Sequence, residues 1–535
     1  MNEMIYNPMR EFDSKFKSLH AANTEKYLDD LVQRSGVDVW QNRQTVKEHD
    51  DLKEQLTKLQ KKLRLWRFLR VLMVITLVLI PFVLLWINPK IKGLRNKIEK
   101  AEQRIKELMD LARRQMEPLN RLFNDRDALN IIEQTIPMLS FSHFFAVEQE
   151  ANMMINFDFN DPNNIEHSTL DILSGQYNEN PFVFENKLIH RMGTETYHGS
   201  RMISWTERYR TSDGKYATRV RTQVLTASVV KPKPYYSTQV VLSYCAQGGP
   251  ELSFSRDATY LDSKSDKQIE KYIEKGEKRL KDLTDKAVKE NRDFVSMANT
   301  DFEVLFDALN RTNEVQFRTL FTPLAQTNMV ELIRSQTGYG DDFHFIKNNR
   351  TNKIISKHSQ GRVLKLLAAE YYSHSFDAIR SNFIVKNAVF FKDVYFDFAP
   401  LWSIPMYQDR PVHSLQEIPN YAQKYSYREC EALSNVMNTQ CVVHPQTKTR
   451  AILKSSFVAS ADGVDQICVT AYSYDIVPRV DVIPVRGGDG RVHGVPVPWS
   501  EYIPLQANTN FFVTTADRAA NYNVLAYRHN LCIFN

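Results

Sequence analysis

The sequence predicts an α+β protein with a single transmembrane helix, coiled-coil-like helices on both sides of it, and soluble domains rich in antiparallel sheet. Three observations predict this fold class. Residues 71–87 form an apolar run, apolar residues at alternating steps of three and four flank the run, and short strand-like runs between turn residues dominate from about residue 182. A chain of 535 residues has room for about two to four domains of ordinary size.

The composition is that of a folded protein. Hydrophobic residues make up 43% and aromatic residues 11% of the chain, so it can bury enough apolar surface to offset the entropy lost on ordering. The formal charge of +6 is small for this length and does not predict nucleic-acid binding. The five cysteines are odd in number and far apart, which favours free thiols over a disulfide framework.

The apolar run at 71–87 predicts the transmembrane helix, with bounds at 68–88. Its seventeen residues, rising about 1.5 Å each, together with their neighbours reach about the 30 Å thickness of a hydrocarbon core. Trp66 and Trp86 stand at the two ends, where amphipathic rings favour the membrane interface, and Arg70 is close enough to extend its charge into the headgroups. A buried core helix is the alternative, but the run has neither a charge nor an amphipathic stripe.

The basic residues around the run leave the orientation of a span open. Seven lysines and arginines lie between residues 53 and 70 and seven between residues 90 and 106, so the charge bias that usually sets orientation is absent. Equal basic flanks also fit a second topology, in which Pro81 bends the segment into a re-entrant hairpin and both flanks meet the anionic leaflet. The expected location is the cell membrane, with the side of the soluble domains undecided.

Helices with coiled-coil spacing are predicted at 45–67 and 89–125. In the second helix, which would form a stalk, the seam contains Ile91, Leu94, Ile98, Ile105 and Leu108. Homo-oligomerisation through this seam is one interpretation. Packing of the two stripes on one another, or on the protein's own domains, is the other.

An antiparallel meander of short strands, separated by Gly, Asp-Gly and Lys-Pro-Lys-Pro turns, is predicted within 126–263, and it contains a basic hairpin. A two-residue turn at Asp213-Gly214 would pair Arg210 with Ala217 and Arg208 with Arg219, and the alternation of side chains would then place four arginines on one face. These are Arg208, Arg210, Arg219 and Arg221. Because guanidinium groups fork onto oxyanions, this face could bind an acidic protein partner or anionic lipid headgroups. The alternative is a solvated face that is paired with local acids.

Four further regions complete the predicted order. Residues 1–44 form a polar helical region at the N-terminus. A charged helix at 264–297 joins the meander to an α+β domain at 298–381, which is expected to start with a strand. A strand-rich domain follows at 382–535, and the sequence RGGDGR within it predicts a hairpin turn.

A distinctive order of residues runs from Asp301 to Ser356. It consists of Phe302-Glu303, Phe306, the run RTLFTP at 318–323, the helix that follows, and a hairpin after Asp342. This segment, about a tenth of the chain, resembles an uncharacterised bacterial membrane-protein family known as domain of unknown function 3137. The resemblance implies an N-terminal membrane anchor followed by a soluble α+β domain, and no agreed activity. Members often look like two-span hairpins, whereas one apolar segment is clear here.

Motifs with a known catalytic mechanism are absent from the sequence. It contains no P-loop, no G-x-G-x-x-G, no H-E-x-x-H and no G-x-S-x-G. Cys441 and His444 have the spacing of two zinc ligands, but no second pair accompanies them. We therefore predict no catalytic residue, no metal and no cofactor. The alternative is a membrane-tethered hydrolase or transferase whose site is assembled from His413, His444 and His529.

The leading functional hypothesis is a membrane-anchored, non-enzymatic scaffold or adaptor. Such a protein would oligomerise through its stalk and bind a lipid bilayer surface, or a protein partner, through the arginine face. Nucleic acid is not an expected partner.

Overall fold

The fold is taken from a computed structural model of the chain. It describes residues 4–75, 86–261, 264–290, 294–411, 416, 425–436, 439–514 and 533–534.

The chain divides into two compact units. One unit, the helical unit, consists of Met9–Pro137 and Lys365–Phe396. The other, the sheet unit, consists of Met1–Pro8, Met138–Leu364 and Asp397–Asn535. The antiparallel sheets of the second unit agree with the predicted α+β class.

Helices build the first unit. They are α1 (Pro8–Glu11) from Met9 onwards, continued by a π-helical turn (Phe12–Phe16) into α2 (Lys17–Ser35), then α3 (Val39–Ile75), α4 (Asn88–Asn120), α5 (Asp127–Thr135), and the part of α11 (Phe376–Trp402) up to Phe396. Gly36 ends α2 in the left-handed conformation, with φ of 64°, where a residue without Cβ has no steric penalty. A parallel stack of the His20 and Phe391 rings, 4.0 Å apart, joins α2 to α11.

Helices α3 and α4 pack against each other as an antiparallel pair, which we call the helical hairpin. Near the start of α3, Thr45 Oγ1 accepts a hydrogen bond from Gln115 Nε2 near the end of α4, at 3.1 Å. Near the end of α3, Leu63 packs instead on Ile87 and Ile91, where α4 begins. The chain therefore reverses direction between the two helices.

The predicted single transmembrane helix is wrong. Among the described residues, no helix is both long and apolar enough to span a membrane, and residues 76–85 of the predicted span lie outside them. Trp66 and Trp86, predicted at opposite interfaces, lie at one end of the hairpin: Lys90 Nζ is 4.7 Å from one ring centroid and 5.8 Å from the other. A continuous helix would separate them by about 30 Å. The hydropathy of the apolar run was misleading because it reports the composition of a segment. It does not report the direction of the chain before and after that segment.

A seven-stranded antiparallel sheet, in the order β1-β2-β3-β4-β7-β6-β5, organises the second unit. Its strands are β1 (Leu139–Phe141), β2 (His167–Tyr177), β3 (Asn180–Arg210), β4 (Tyr216–Cys245), β5 (Ser253–Arg256), β6 (Phe343–Asn348) and β7 (Thr351–Ser356). Helices α6 (Val147–Phe157), α7 (Asp266–Glu290), α8 (Thr300–Phe306), α9 (Glu314–Leu320) and α10 (Pro323–Ile333) accompany it. Asn178 and Glu179 form the β2–β3 turn with φ of 47° and 71°, as a type I′ hairpin requires.

Two aromatic cores cover this sheet. Phe182 and Phe184 of β3 meet the Phe398 ring of α11 at centroid distances of 5.0 Å and 5.6 Å. Phe254 of β5 contacts Phe306 of α8, with centroids 5.6 Å apart. The strand predicted at the start of 298–381 is wrong because Asn299 Oδ1 accepts a hydrogen bond from the backbone N–H of Phe302 and so caps helix α8.

A second antiparallel sheet has the order β11-β10-β9-β8. It consists of β8 (Ile452–Ala461), β9 (Val464–Arg486), β10 (Val492–Thr514) and β11 (Ile533–Phe534), and α12 (Tyr427–Val436) precedes it. The hairpin turn predicted from RGGDGR is confirmed, since β9 ends at Arg486 and Gly487 N–H donates to the Arg491 carbonyl at 2.8 Å.

Two long ribbons pack face to face, and we call this feature the β arm. Its members are residues 191–235 of β3 and β4 and residues 476–504 of β9 and β10. Ile203, Leu225 and Val495 form its buried core. The turn predicted at the Lys-Pro-Lys-Pro sequence is wrong, because β4 continues through residues 231–234. Proline fits there because, among the described strands, residues 231–234 pair with β3 and not with β7, so the other edge of β4 needs no N–H donor at these positions.

Gly199 lies where the two ribbons approach most closely. A Cβ at this position would lie 2.8 Å from Val497 Cα and even closer to the Pro496 carbonyl oxygen, so a side chain would push backbone away from backbone. We expect Gly199→Val to lower the free energy of unfolding by about 1–3 kcal/mol through this overpacking. Ser200→Val is the matched control, since Ser200 is exposed on the outer face of the same strand. Urea unfolding followed by circular dichroism measures both, and equal losses would contradict the close approach.

Candidate lipid-surface site at the end of the helical hairpin

The antiparallel pairing of α3 and α4 gathers basic side chains at one end of the hairpin. We call them the basic collar: Lys61, Lys62, Arg64, Arg67 and Arg70 of α3, with Lys90, Lys92, Arg95 and Lys97 of α4. All nine are exposed. The sequence contains no aspartate or glutamate from residue 55 to residue 98. No acid on either flanking segment therefore offsets the positive potential of the collar.

Large apolar side chains are exposed between these cations. The exposed fractions are 57% for Leu65, 63% for Phe68, 55% for Val71 and 60% for Trp86. Single exposed apolar residues are common on soluble proteins, but a group of four within a basic surface is typical of a binding site. Basic and apolar groups together are the composition of segments that lie at lipid headgroups.

The end of the hairpin has a small core of its own. Leu63, Ile87 and Ile91 are buried there, and Trp66 packs against them. Lys90 Nζ lies over both the Trp66 and the Trp86 rings, which is a favourable cation–π arrangement. These contacts fix α3 and α4 relative to each other, so the collar residues of both helices act as one surface.

The predicted oligomer seam faces α3 of the same chain at its first turns. Ile91 is 4% exposed and belongs to the core that contains Leu63, and Leu94 and Ile98 pack against that core. Leu108 is buried and Ile105 is half-buried. Of the two interpretations left open by the sequence, packing of the stripes on one another accounts for these contacts. Homo-oligomerisation stays a prediction.

The four arginines of the basic hairpin do not share one face. The strands meet in the register Arg210 with Tyr216 and Glu207 with Arg219, one residue away from the predicted pairing. The connection explains this shift: it runs from Thr211 to Lys215, with a backbone hydrogen bond from Thr211 N–H to the Lys215 carbonyl, rather than through Asp213-Gly214 alone.

This register divides the arginines into two pairs on opposite faces. Arg208 and Arg210 lie on the outer face, whereas Arg219 and Arg221 both pair with the Glu207 carboxylate, at 2.7 Å and 2.9 Å. Glu207 is therefore a local acid of the kind that the alternative interpretation, a solvated face paired with local acids, requires. Whether either pair binds a partner stays a prediction.

A dense and largely buried group of charges lies in the sheet unit. We call it the Arg428 cluster, and its members are Arg428, Glu150, Asp161, Glu185, Lys187 and Lys353. Arg428 and Glu185 are each 1% exposed, and Arg428 Nε donates to Glu185 at 2.7 Å. Burial opposes ionisation of Asp161, but Lys187, Lys353 and Arg428 outweigh it and lower the pKa of this carboxyl.

A second buried group surrounds His358. Its Nδ1 lies 2.7 Å from Asp342 Oδ2 and its Nε2 lies 3.4 Å from Asp397 Oδ1, while Arg362 pairs with Asp397 at 2.8 Å. Burial favours the neutral ring, but the hydrogen bonds to both carboxylates outweigh it and raise the pKa of His358 to about 10. Both ring nitrogens are therefore engaged as donors, which is the state of a structural ion pair rather than of a general base.

Sequence reasoning missed both buried groups. Their members come from helices, strands and loops that are far apart in the chain, so no local spacing connects them. One signal was available: Glu185 and Lys187 are two and four residues after Val183 on β3, so they share the buried face of this apolar residue. The histidine site proposed as an alternative stays untested, because His413 and His529 lie outside the described residues.

Neither protein-family models nor curated proteins nor solved structures provide a match to the chain. The resemblance of residues 301–356 to domain of unknown function 3137 therefore stays a prediction.

Proposed function

We propose that the protein is a non-catalytic tether that attaches to anionic lipid surfaces through the end of its helical hairpin. The observation that carries this proposal is the convergence of two basic flanks, together with four exposed apolar side chains, at one end of an antiparallel helix pair. Attachment through these side chains requires contact between the end of the helical hairpin and the surface of one lipid leaflet.

Electrostatic attraction supports the choice of anionic lipid. Each lysine or arginine near such a surface contributes about 1 kcal/mol of attraction, which salt weakens. The collar offers nine of these side chains, and its segments hold no acid. Phe68, Val71 and Trp86 add an apolar contribution, since their exposed side chains would leave water when they enter the headgroup region.

The test is binding of the purified full chain to vesicles. We expect cosedimentation with vesicles of phosphatidylcholine and phosphatidylserine, weakened by salt, and little cosedimentation with phosphatidylcholine alone. The double variant Arg67→Glu/Lys92→Glu should bind the anionic vesicles at least about thirtyfold more weakly, because about 1 kcal/mol is lost for each removed charge and repulsion is added. Both positions are exposed on the hairpin, so the fold should persist, and circular dichroism checks this.

The matched control is Arg208→Glu/Arg210→Glu, which changes the net charge equally on the β arm. We expect this variant to bind anionic vesicles as the unchanged protein does. Equal weakening by both double variants would attribute binding to net charge rather than to the collar. Binding that is insensitive to both salt and Arg67→Glu/Lys92→Glu would overturn the proposed function.

A further inference from the structure

A cleft in the helical unit lies far along α4 from the basic collar. The end of α4 forms one wall, with Arg113, Arg114 and Arg121, and the loop at 372–374 forms the other. Its volume is about 550 Å³. This lies within the range of about 300–1,000 Å³ that is typical of small-molecule sites.

The wall formed by the loop is fixed by two amide side chains, those of Asn42 and Asn120. Asn42 is fully buried; its Nδ2 donates to the His374 carbonyl at 3.0 Å, and its Oδ1 accepts from the Phe376 N–H at 3.0 Å. Asn120 Nδ2 donates to the Ser373 carbonyl at 3.0 Å. Three hydrogen bonds thus hold Ser373 and His374 of the loop and Phe376 just after it. A wall held in this way needs little ordering when a ligand enters, which favours affinity.

Positive charge predominates in the cleft. Glu117 is the one acid among the described residues that line it, and it pairs with Arg121. Arg113 has a loose, exposed pairing with Asp110, at 3.7 Å. Within the described parts of the chain, Arg114 has no carboxylate within 4.0 Å. Two guanidinium groups are therefore available to an incoming anion.

His374, in the loop at 372–374, lies in the same positive electrostatic potential. Burial lowers the pKa of His374, and the neighbouring His49, Arg113 and Lys53 lower it further, against an opposing effect of Asp50. A bound anion would relieve this repulsion, because it would place negative charge beside the imidazole ring.

We infer that this cleft is a binding site for a phosphorylated small molecule. Guanidinium groups match phosphate oxygens in a bidentate fork, and several cations in one cleft favour an anion with more than one charge. Tyr372, with 45% of its surface exposed, lines the cleft and offers an aromatic surface to the organic part of such a ligand. The site is independent of the collar, since neither depends on the residues of the other.

Calorimetric titration of the full chain with two probes tests the inference. Pyrophosphate represents free phosphate compounds, and inositol trisphosphate represents a phosphorylated lipid headgroup. Comparable binding of both probes would identify free phosphate compounds as the ligand class, whereas binding of inositol trisphosphate alone would identify the headgroup. In either case Arg113→Gln/Arg114→Gln should weaken binding about tenfold or more, and Arg114→Lys should weaken it less because the charge remains while the fork is lost.

The control variant is Arg95→Gln/Lys97→Gln, which removes the same charge from the collar. It should leave the affinity for both probes unchanged. Absence of heat with both probes would overturn the inference, and so would affinity that is unchanged in Arg113→Gln/Arg114→Gln. Failure of vesicle binding alone would affect the proposed function and not this site.

Discussion

Replacing Arg428 with methionine should lower the free energy of unfolding by about 3–5 kcal/mol, because buried carboxylates would lose their main cation. Arg428 is 1% exposed and contacts Glu185 at 2.7 Å and Asp161 at 3.2 Å, besides a contact with Glu150. The carboxylate of Glu185 cannot move into water, since Glu185 is itself 1% exposed. Methionine keeps most of the side-chain volume, so the loss measures charge rather than a cavity.

Urea unfolding at neutral pH measures this loss. Arg219→Met is the matched control: Arg219 also pairs with a glutamate, Glu207, but both side chains are more than 40% exposed. Exposed pairs contribute about 0–1 kcal/mol, so this variant should differ little from the unchanged protein. Adding Glu185→Gln to Arg428→Met should recover part of the loss by removing one uncompensated charge. Similar, small effects of Arg428→Met and Arg219→Met would contradict the account of a buried network.

The stability of the sheet unit should fall as pH rises from 6.5 towards 10, through His358. The pKa of this histidine is raised from 6.5 to about 10 by its carboxylate partners Asp342 and Asp397. Its contribution is therefore complete below pH 6.5 and disappears as pH passes through 10. The slope can reach about 1.4 kcal/mol per pH unit, the free energy equivalent of one pKa unit.

Unfolding measured at pH 6, 8 and 10 tests this dependence. His358→Gln should be less stable at pH 6 and should lack most of the decline above it. His344→Gln is the control, because His344 also pairs with an aspartate, Asp257, but that carboxylate is 91% exposed. At the acidic end, burial opposes ionisation of Asp397, but Arg362 and His358 outweigh it and lower the pKa to about 2, so its contribution is lost from pH 3.8 downwards. An unchanged decline in His358→Gln would exclude this ion pair as its source.

Local patterns predicted several elements well. The charged helix predicted at 264–297 corresponds to α7, where Ile269, Ile273 and Leu280 form a buried stripe. The glycine-rich RGGDGR sequence lies at the β9–β10 turn. Both features depend on residues close in sequence, since a helical stripe and a tight turn are decided within one or two turns of chain.

Longer range features were predicted less well. Gly193 and Gly199 suggested breaks between short strands, whereas β3 runs without interruption for 31 residues. A glycine can also lie inside a strand, at a position where a neighbouring backbone comes too close for a side chain. Gly199 is such a position, because β10 approaches β3 there. The predicted pairing of the four arginines was wrong because a one-residue change in the turn moves every following side chain to the other face of the hairpin.

By itself, the sequence determined the α+β class, the coiled-coil spacing on both sides of an apolar run, and the basic residues beside it, because composition and periodicity record these directly. Only the tertiary structure decided that α3 and α4 run antiparallel and bring Trp66, Lys90 and Trp86 together. It alone assembled Arg428 with its carboxylates and paired Arg219 with Glu207. The physical reason is that charges and rings act over a few ångströms in space, and residues far apart in the chain reach that distance only once the chain has folded.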